Sequence, residues 1–220
     1  METFAVIGAS SGTGREIVRL LASRGQQVRA IARRPVEASQ FVAPYSADVT
    51  DAKAIAKALD GEFTAIFFTV DIHKRFASKE EVRSLMFDGF MHTIRAAKRQ
   101  RVPPRIVLLS VIGPDKPSWV WHLLNLFKRG MKQNVVDREA ALLQSGLPYV
   151  IARAARLVDP ADPMRATAIT PATHSLDMKR TIARSDLALA LVNAAQAAPA
   201  CSTWDMFYDD VATLPDWATT

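Results

Sequence analysis

The sequence predicts an α/β chain: a doubly wound parallel sheet in a single domain. Three observations carry this. Short β-rich runs alternate with longer helical patterns along 220 residues, a length that suits one domain. A glycine-rich stretch, Gly8 to Gly14, links the first run to the first helix. Glycine or proline ends most of the helical patterns.

Thr3 to Ile7 reads as the first strand and Gly12 to Arg24 as a helix, with Ile17, Leu20 and Leu21 at helical spacing and Gly25 ending it. Gln27 to Ala32 and Phe41 to Ser46 are the next strands. Asp51 to Leu59 is a helix, and Thr64 to Thr69 a buried fourth strand. Glu80 to Arg101 reads as one long amphipathic helix stopped by Pro103 and Pro104. Arg105 to Ser110 is a fifth strand. Trp119 to Gln144 is helical with a break near Gly130, and Tyr149 to Arg153 is a sixth strand. Arg184 to Ala195 is a helix, and Thr203 to Tyr208 a last strand. Met164 to Lys179 carries no strong pattern and is a candidate lid. Right-handed crossovers between such strands make the sheet parallel, with its ligand site beyond the carboxyl ends of the strands.

Composition narrows the class. With 49% hydrophobic and 23% charged residues, the chain can bury a core without metals or disulfides. Cys201 is the only cysteine, so no internal disulfide or Cys-rich zinc site forms, and a cytoplasmic setting is expected. Strand pattern from Thr3 leaves no room for a signal peptide, and no apolar run is long enough to span a membrane. The net charge of +6 is spread along the chain. A phosphorylated cofactor and a solvated surface account for it, and no nucleic-acid partner is expected.

The glycine-rich stretch is Gly8-Ala9-Ser10-Ser11-Gly12-Thr13-Gly14, spaced G-x-x-x-G-x-G. Its position marks the fold as Rossmann-type. Glycines let the backbone turn tightly and approach a pyrophosphate, while the helix N-terminus offers free N–H groups and a positive dipole end. Ser10, Ser11 and Thr13 add hydroxyl donors. At the end of the second strand, where NAD-specific domains usually carry an acid, stand Arg33 and Arg34. Guanidinium groups pair with a 2′-phosphate, so NADP(H) is the expected cofactor. A solvated pair of arginines is the alternative.

These residues resemble the cofactor loop of the short-chain dehydrogenase/reductase superfamily. Asp48-Val49-Thr50-Asp51, Arg105 to Ser110, the stretch from Ser145 to Arg153 (SGLPYVIAR), and Ile182 to Ala188 (IARSDLA) are similar to its atypical NAD(P)H-binding branch. Within that branch the chain resembles flavin reductases of the biliverdin reductase B type and NmrA-like proteins. The resemblance implies that residues 1–220 form one NAD(P)-binding domain, with about 155–220 as a small substrate-side portion. It implies that Asp48 binds the adenine amino group with Val49 beside the ring. Thr69 and Val70 would line the cofactor, and Ser110 would lie near the nicotinamide. It gives Arg184 and Asp186 a structural role.

The catalytic pattern departs from classical members. Tyr45, Tyr149 and Tyr208 are followed four residues on by Val49, Arg153 and Ala212, so no Tyr-x-x-x-Lys motif exists. The helical segment where it should fall reads Met131 to Asp137, without tyrosine. Arg156 replaces a histidine found near the substrate in the biliverdin reductase B group. Ser110, Asp71, His73, His122, Arg153 and Arg156 are candidates to bind substrate or cofactor or to move a proton. Each also has a plainer reading: a satisfied strand-end hydroxyl, solvated loop residues, a packed helix histidine and surface ion pairs. Trp119 to Phe127 forms an apolar wall for a planar acceptor, a core helix, a homodimer contact or, least expected, a membrane-surface helix. The expected function is an NADPH-dependent oxidoreductase passing hydride to a flavin, quinone or other conjugated small molecule. The alternatives are an NmrA-like NADP(H)-binding sensor and a non-redox isomerase with tightly bound NADP.

Overall fold

A computed structural model describes residues 2–72, 74, 76–161 and 164–218. Eight strands form one sheet. In chain order they are β1 (Thr3–Ile7), β2 (Gln27–Ala32), β3 (Val42–Ser46), β4 (Ala65–Phe68), β5 (Arg105–Val111), β6 (Tyr149–Ala154), β8 (Ala166–Pro171) and β10 (Ser202–Asp209). Their spatial order is β3-β2-β1-β4-β5-β6-β10-β8. All neighbours are parallel except β8, which runs antiparallel to β10. The sheet is therefore mixed and mostly parallel. Two short strands, β7 (Arg156–Val158) and β9 (Thr181–Ala183), pair separately.

The period of two along each central strand divides the core. Phe4, Val6 and Phe67 face one side, where Ile17 and Leu21 of α1 (Gly12–Ser23) and Leu187 and Leu191 of α7 (Arg184–Ala197) cover them. Ala5, Ile7 and Phe68 face the other. There Ile55 of α2 (Ala52–Ala58), Phe90 and Ile94 of α4 (Gly89–Ala97) and Leu142 of α6 (Met131–Leu143) close the core. Both faces are buried, which is why the strands read as continuous apolar runs.

Two features differ from the sequence expectation. The long helix is a rod with a changed pitch: α3 (Lys79–Val82), a π-helical segment (Arg83–Asp88), then α4. Its buried residues Val82, Met86, Phe90 and Ile94 recur every four positions. An α-helix drifts by about 40° at each such step. The wider π turn takes up part of that drift and keeps the apolar face on the sheet.

The second difference is β8. Ala-Thr-Ala-Ile-Thr-Pro is short and only weakly alternating, and its pairing comes from β10 and Thr213, far along the chain. Further along, α7 and β10 belong to the main layers. The break at Gly130 is as expected. It adopts φ 75° between α5 (Trp119–Phe127) and α6.

Candidate active site

The sheet winds outward in both directions from β1 and β4, and a crevice opens at that switch point. A cavity of about 1050 Å³ runs across the carboxyl ends of β1, β2, β4, β5 and β6.

Its first half is the phosphate loop. Gly8 and Gly12 adopt φ values of +95° and +56°, which side chains disfavour. A Cβ on Gly14 would lie 2.3 Å from the Gly8 carbonyl oxygen, and one on Gly8 would lie 2.7 Å from Thr69 Oγ1. The loop is tied to β4, where Thr69 donates both its N–H and its hydroxyl to the Ile7 carbonyl. Gly8, Ser10, Ser11, Gly12 and Thr13 line the cavity; Ala9 and Gly14 pack behind them. Ser11 precedes α1 but its side chain makes no cap, so the first N–H groups of the helix stay free of a side-chain acceptor. The buried Thr13 hydroxyl also has no partner among the described residues. Such donors around a cradle that a single methyl would fill fit a pyrophosphate.

Arg33 and Arg34 line the same half. Arg34 Nη2 donates to Ser11 Oγ at 2.8 Å, and Arg33 Nη1 lies 3.6 Å from Asp48 Oδ2. Asp48 turns away from the cavity, whose wall here is Ala47 and Val49. Burial opposes ionisation of Asp48. Hydrogen bonds from the Thr50 N–H and hydroxyl, together with Arg33, outweigh it and hold the carboxyl below the usual range.

The second half is apolar. Val120, Leu123, Leu124 and Phe127 of α5 face Met86 and Met131 across it. Thr69, Val70 and Ser110 lie where the halves meet, and Asp71, Lys128 and Arg156 bring charge to the wall. Ser110 is buried and donates to Glu139 Oε1 at 2.5 Å. Its proton is therefore committed, and its oxygen is left as an acceptor.

Two more expected residues, like Asp48, are not brought to the cavity. Arg153 stands behind the wall, donating to both Glu139 oxygens at 3.2 and 2.7 Å and to Asp115 at 2.9 Å. Its neighbours on β5 and α6 are carboxylate and hydroxyl, so its guanidinium is spent on holding those elements together. Burial disfavours its charge, but the Glu139 hydrogen bonds and charge outweigh this and raise its pKa. His122 sits on the exposed side of α5, one residue from the lining Leu123. His73 lies outside the described residues.

Three further groups line the cavity; of these the sequence offered only the segment that holds Leu176, Asp177 and Met178, as a candidate lid. Arg184, read as structural, lies beside Gly12 and pairs with Asp159. Leu176, Asp177 and Met178 reach the cavity from the patternless segment. Arg138 is buried on α6 and lines the cavity. Its signal was available, because it shares the helical spacing of Met131, Val135 and Leu142.

A family described as NAD(P)H-binding matches residues 8–198. No curated protein matches the sequence. Among solved structures, the oxidoreductase ylbE of Lactococcus lactis is similar over 96% of this chain and 92% of its own, with TM-score 0.78 and 18% identity. A short-chain dehydrogenase/reductase of Veillonella parvula in complex with NADP covers 99% and 96%, with TM-score 0.73 and 14% identity. ChuY of Escherichia coli, an anaerobillin reductase, covers 95% and 98%, with TM-score 0.70 and 20% identity. No helix among the described residues is long and apolar enough to cross a membrane. The glycine cradle, the switch-point cavity and the extent of the family match lead to one conclusion: the chain belongs to the NAD(P)H-binding family and shares its fold with these reductases.

Proposed function

We propose that the protein is an NADPH-dependent oxidoreductase acting on a conjugated, planar acceptor of the flavin or quinone class. The observation that carries this reading is the continuity of the cavity. One space joins the phosphate loop to an apolar chamber walled by α5 and α6. When bound, the cofactor supplies a hydride from its nicotinamide ring.

The chain's own residues bind, orient and exclude water. The N–H groups at the start of α1 and the Ser10 and Thr13 hydroxyls hold the pyrophosphate. Arg33 and Arg34 hold the 2′-phosphate, and Val49 packs beside the adenine. Thr69 and Val70 set the floor at the junction, where the Ser110 oxygen accepts a hydrogen bond. Val120, Leu124 and Met131 hold a flat ring against the junction and keep water from it. The fold offers no Tyr–Lys pair to protonate a carbonyl, which favours an acceptor that takes its proton from water. Asp71, half exposed at the wall, can relay that proton. The segment 172–180 with β7 and β9 forms the substrate side.

Purified protein should oxidise NADPH with flavins or quinones and not with simple aldehydes. Tight NADPH binding without turnover on any acceptor would replace this reading with a non-catalytic sensor. Replacing Arg33 and Arg34 together with alanine should weaken NADPH about 10- to 100-fold, with NADH little changed, by tryptophan-fluorescence titration. Equal losses for both cofactors would remove the 2′-phosphate assignment.

A further inference from the structure

Arg138 has no part in the chemistry described so far. It is 2% exposed, yet it lines the cavity from α6, on the face that buries Met131, Val135 and Leu142. Its Nε and Nη1 find no acceptor among the described residues. Burial lowers its pKa to about 10, against the pull of Asp71 and Glu139, so it stays a cation at neutral pH. A buried charge without hydrogen-bonded partners is costly, and such groups are usually paired.

The surrounding charges do not cancel it. Both oxygens of Glu139 are already engaged, one by Ser110 and Arg153 together, the other by Arg153. Asp71 lies on the cavity wall, and it also has Lys128 Nζ 3.9 Å away. Lys128 lines the cavity too and donates to the Ile72 carbonyl at 2.5 Å. Arg138, Lys128 and Arg156 thus bring three cations to the wall beside the one carboxylate of Asp71, which Lys128 already engages, next to the apolar side chains of Val120 and Leu124.

We infer that Arg138 anchors a single carboxylate on the molecule that fills the chamber, so that the acceptor is a carboxylate-bearing conjugated compound. This rests on the oxidoreductase reading of the chamber. A carboxylate offers two oxygens to the guanidinium fork and supplies the acceptors that Nε and Nη1 lack. A neutral quinone would leave the guanidinium without an acceptor.

The test uses a naphthoquinone bearing a propionate side chain and its methyl ester, titrated calorimetrically into the NADP⁺-loaded protein. The acid should bind about 30-fold more tightly than the ester. In Arg138→Met, which keeps the side-chain volume, the preference should fall to within about threefold. NADPH titration should be unchanged in that variant. Equal binding of acid and ester by the unsubstituted protein overturns the assignment, as does a preference that survives in Arg138→Met. Should Arg138→Met fail to fold, Arg156→Ala decides: a preference retained there supports Arg138, and one lost there overturns it. NADPH oxidation with both probes separates this inference from the function beneath it. Preference for the acid without turnover of either probe removes the oxidoreductase and keeps the anion site. Turnover of both alike, without preference, does the reverse.

Discussion

Gly14 is the tightest residue of the site, because any side chain there meets the Gly8 carbonyl at 2.3 Å. Backbone, not a flexible side chain, is in the way. Gly14→Ala should therefore weaken NADPH binding more than 10-fold and lower the melting temperature, measured by fluorescence titration and thermal unfolding. Enough survives of such residues in the sequence to read them: glycines at fixed spacing after a strand state a steric need directly. Ser110 was legible as a position but not as a state. Its partner Glu139 lies 29 residues away, and nothing local shows that its proton is already given. His122 misleads for a similar reason. Its apolar neighbours suggest packing, yet the face of α5 on which it falls is exposed.

The elements β5, β6 and α6 are held by one clasp, Ser110–Glu139–Arg153, with Glu139 and Arg153 largely withdrawn from water. Glu139→Gln removes the more buried of the two carboxylates that pair with Arg153 and leaves the half-exposed Asp115 as the other. It should cost about 2–3 kcal/mol in urea unfolding. A second fastening holds the cavity's outer wall. Asp205 of β10 is fully buried and accepts from the Thr173 N–H at 3.0 Å, the His174 N–H at 2.8 Å and His174 Nδ1 at 3.0 Å. Leu176 and Met178 follow directly and reach the cavity. Asp205→Ala should speed hydrogen exchange across 173–178 and weaken acceptor binding, with NADPH affinity kept. Unchanged exchange there would show that the segment is held by other contacts. The sequence could not show this fastening, because residues 173 and 205 meet only through the pairing of β8 with β10. The helices and parallel strands were legible, since apolar runs and their punctuation are local. The π turn was not, because it answers to a packing phase that only the folded sheet defines.

For the whole molecule, Asp177 and Asp48 contribute to the response to acid. Burial raises the Asp177 pKa, but the Arg180 and Lys179 N–H groups and the Arg180 guanidinium more than reverse this. Asp48 is held low in the same way. A lowered folded-state pKa gives stability that is fully present above the unfolded value, about 3.9, and lost as pH falls through the folded one. Stability in urea should thus show no loss from these groups between pH 7 and about 5, and should fall below about pH 4. A steep decline already at pH 6 would assign acid sensitivity elsewhere. At this scale the doubly wound architecture was legible from the alternation alone, while the antiparallel edge was not.

That edge imposes an order of assembly. β8 precedes β10 in the chain yet, among the described residues, its strand pairing is with β10 and Thr213, and β10 in turn completes β6. During synthesis from the N-terminus, residues 166–171 emerge first and must wait without a partner, beside an unsatisfied β6. Until residue 209 has left the ribosome, the nascent protein carries an open strand edge of the kind chaperones recognise and aggregates recruit.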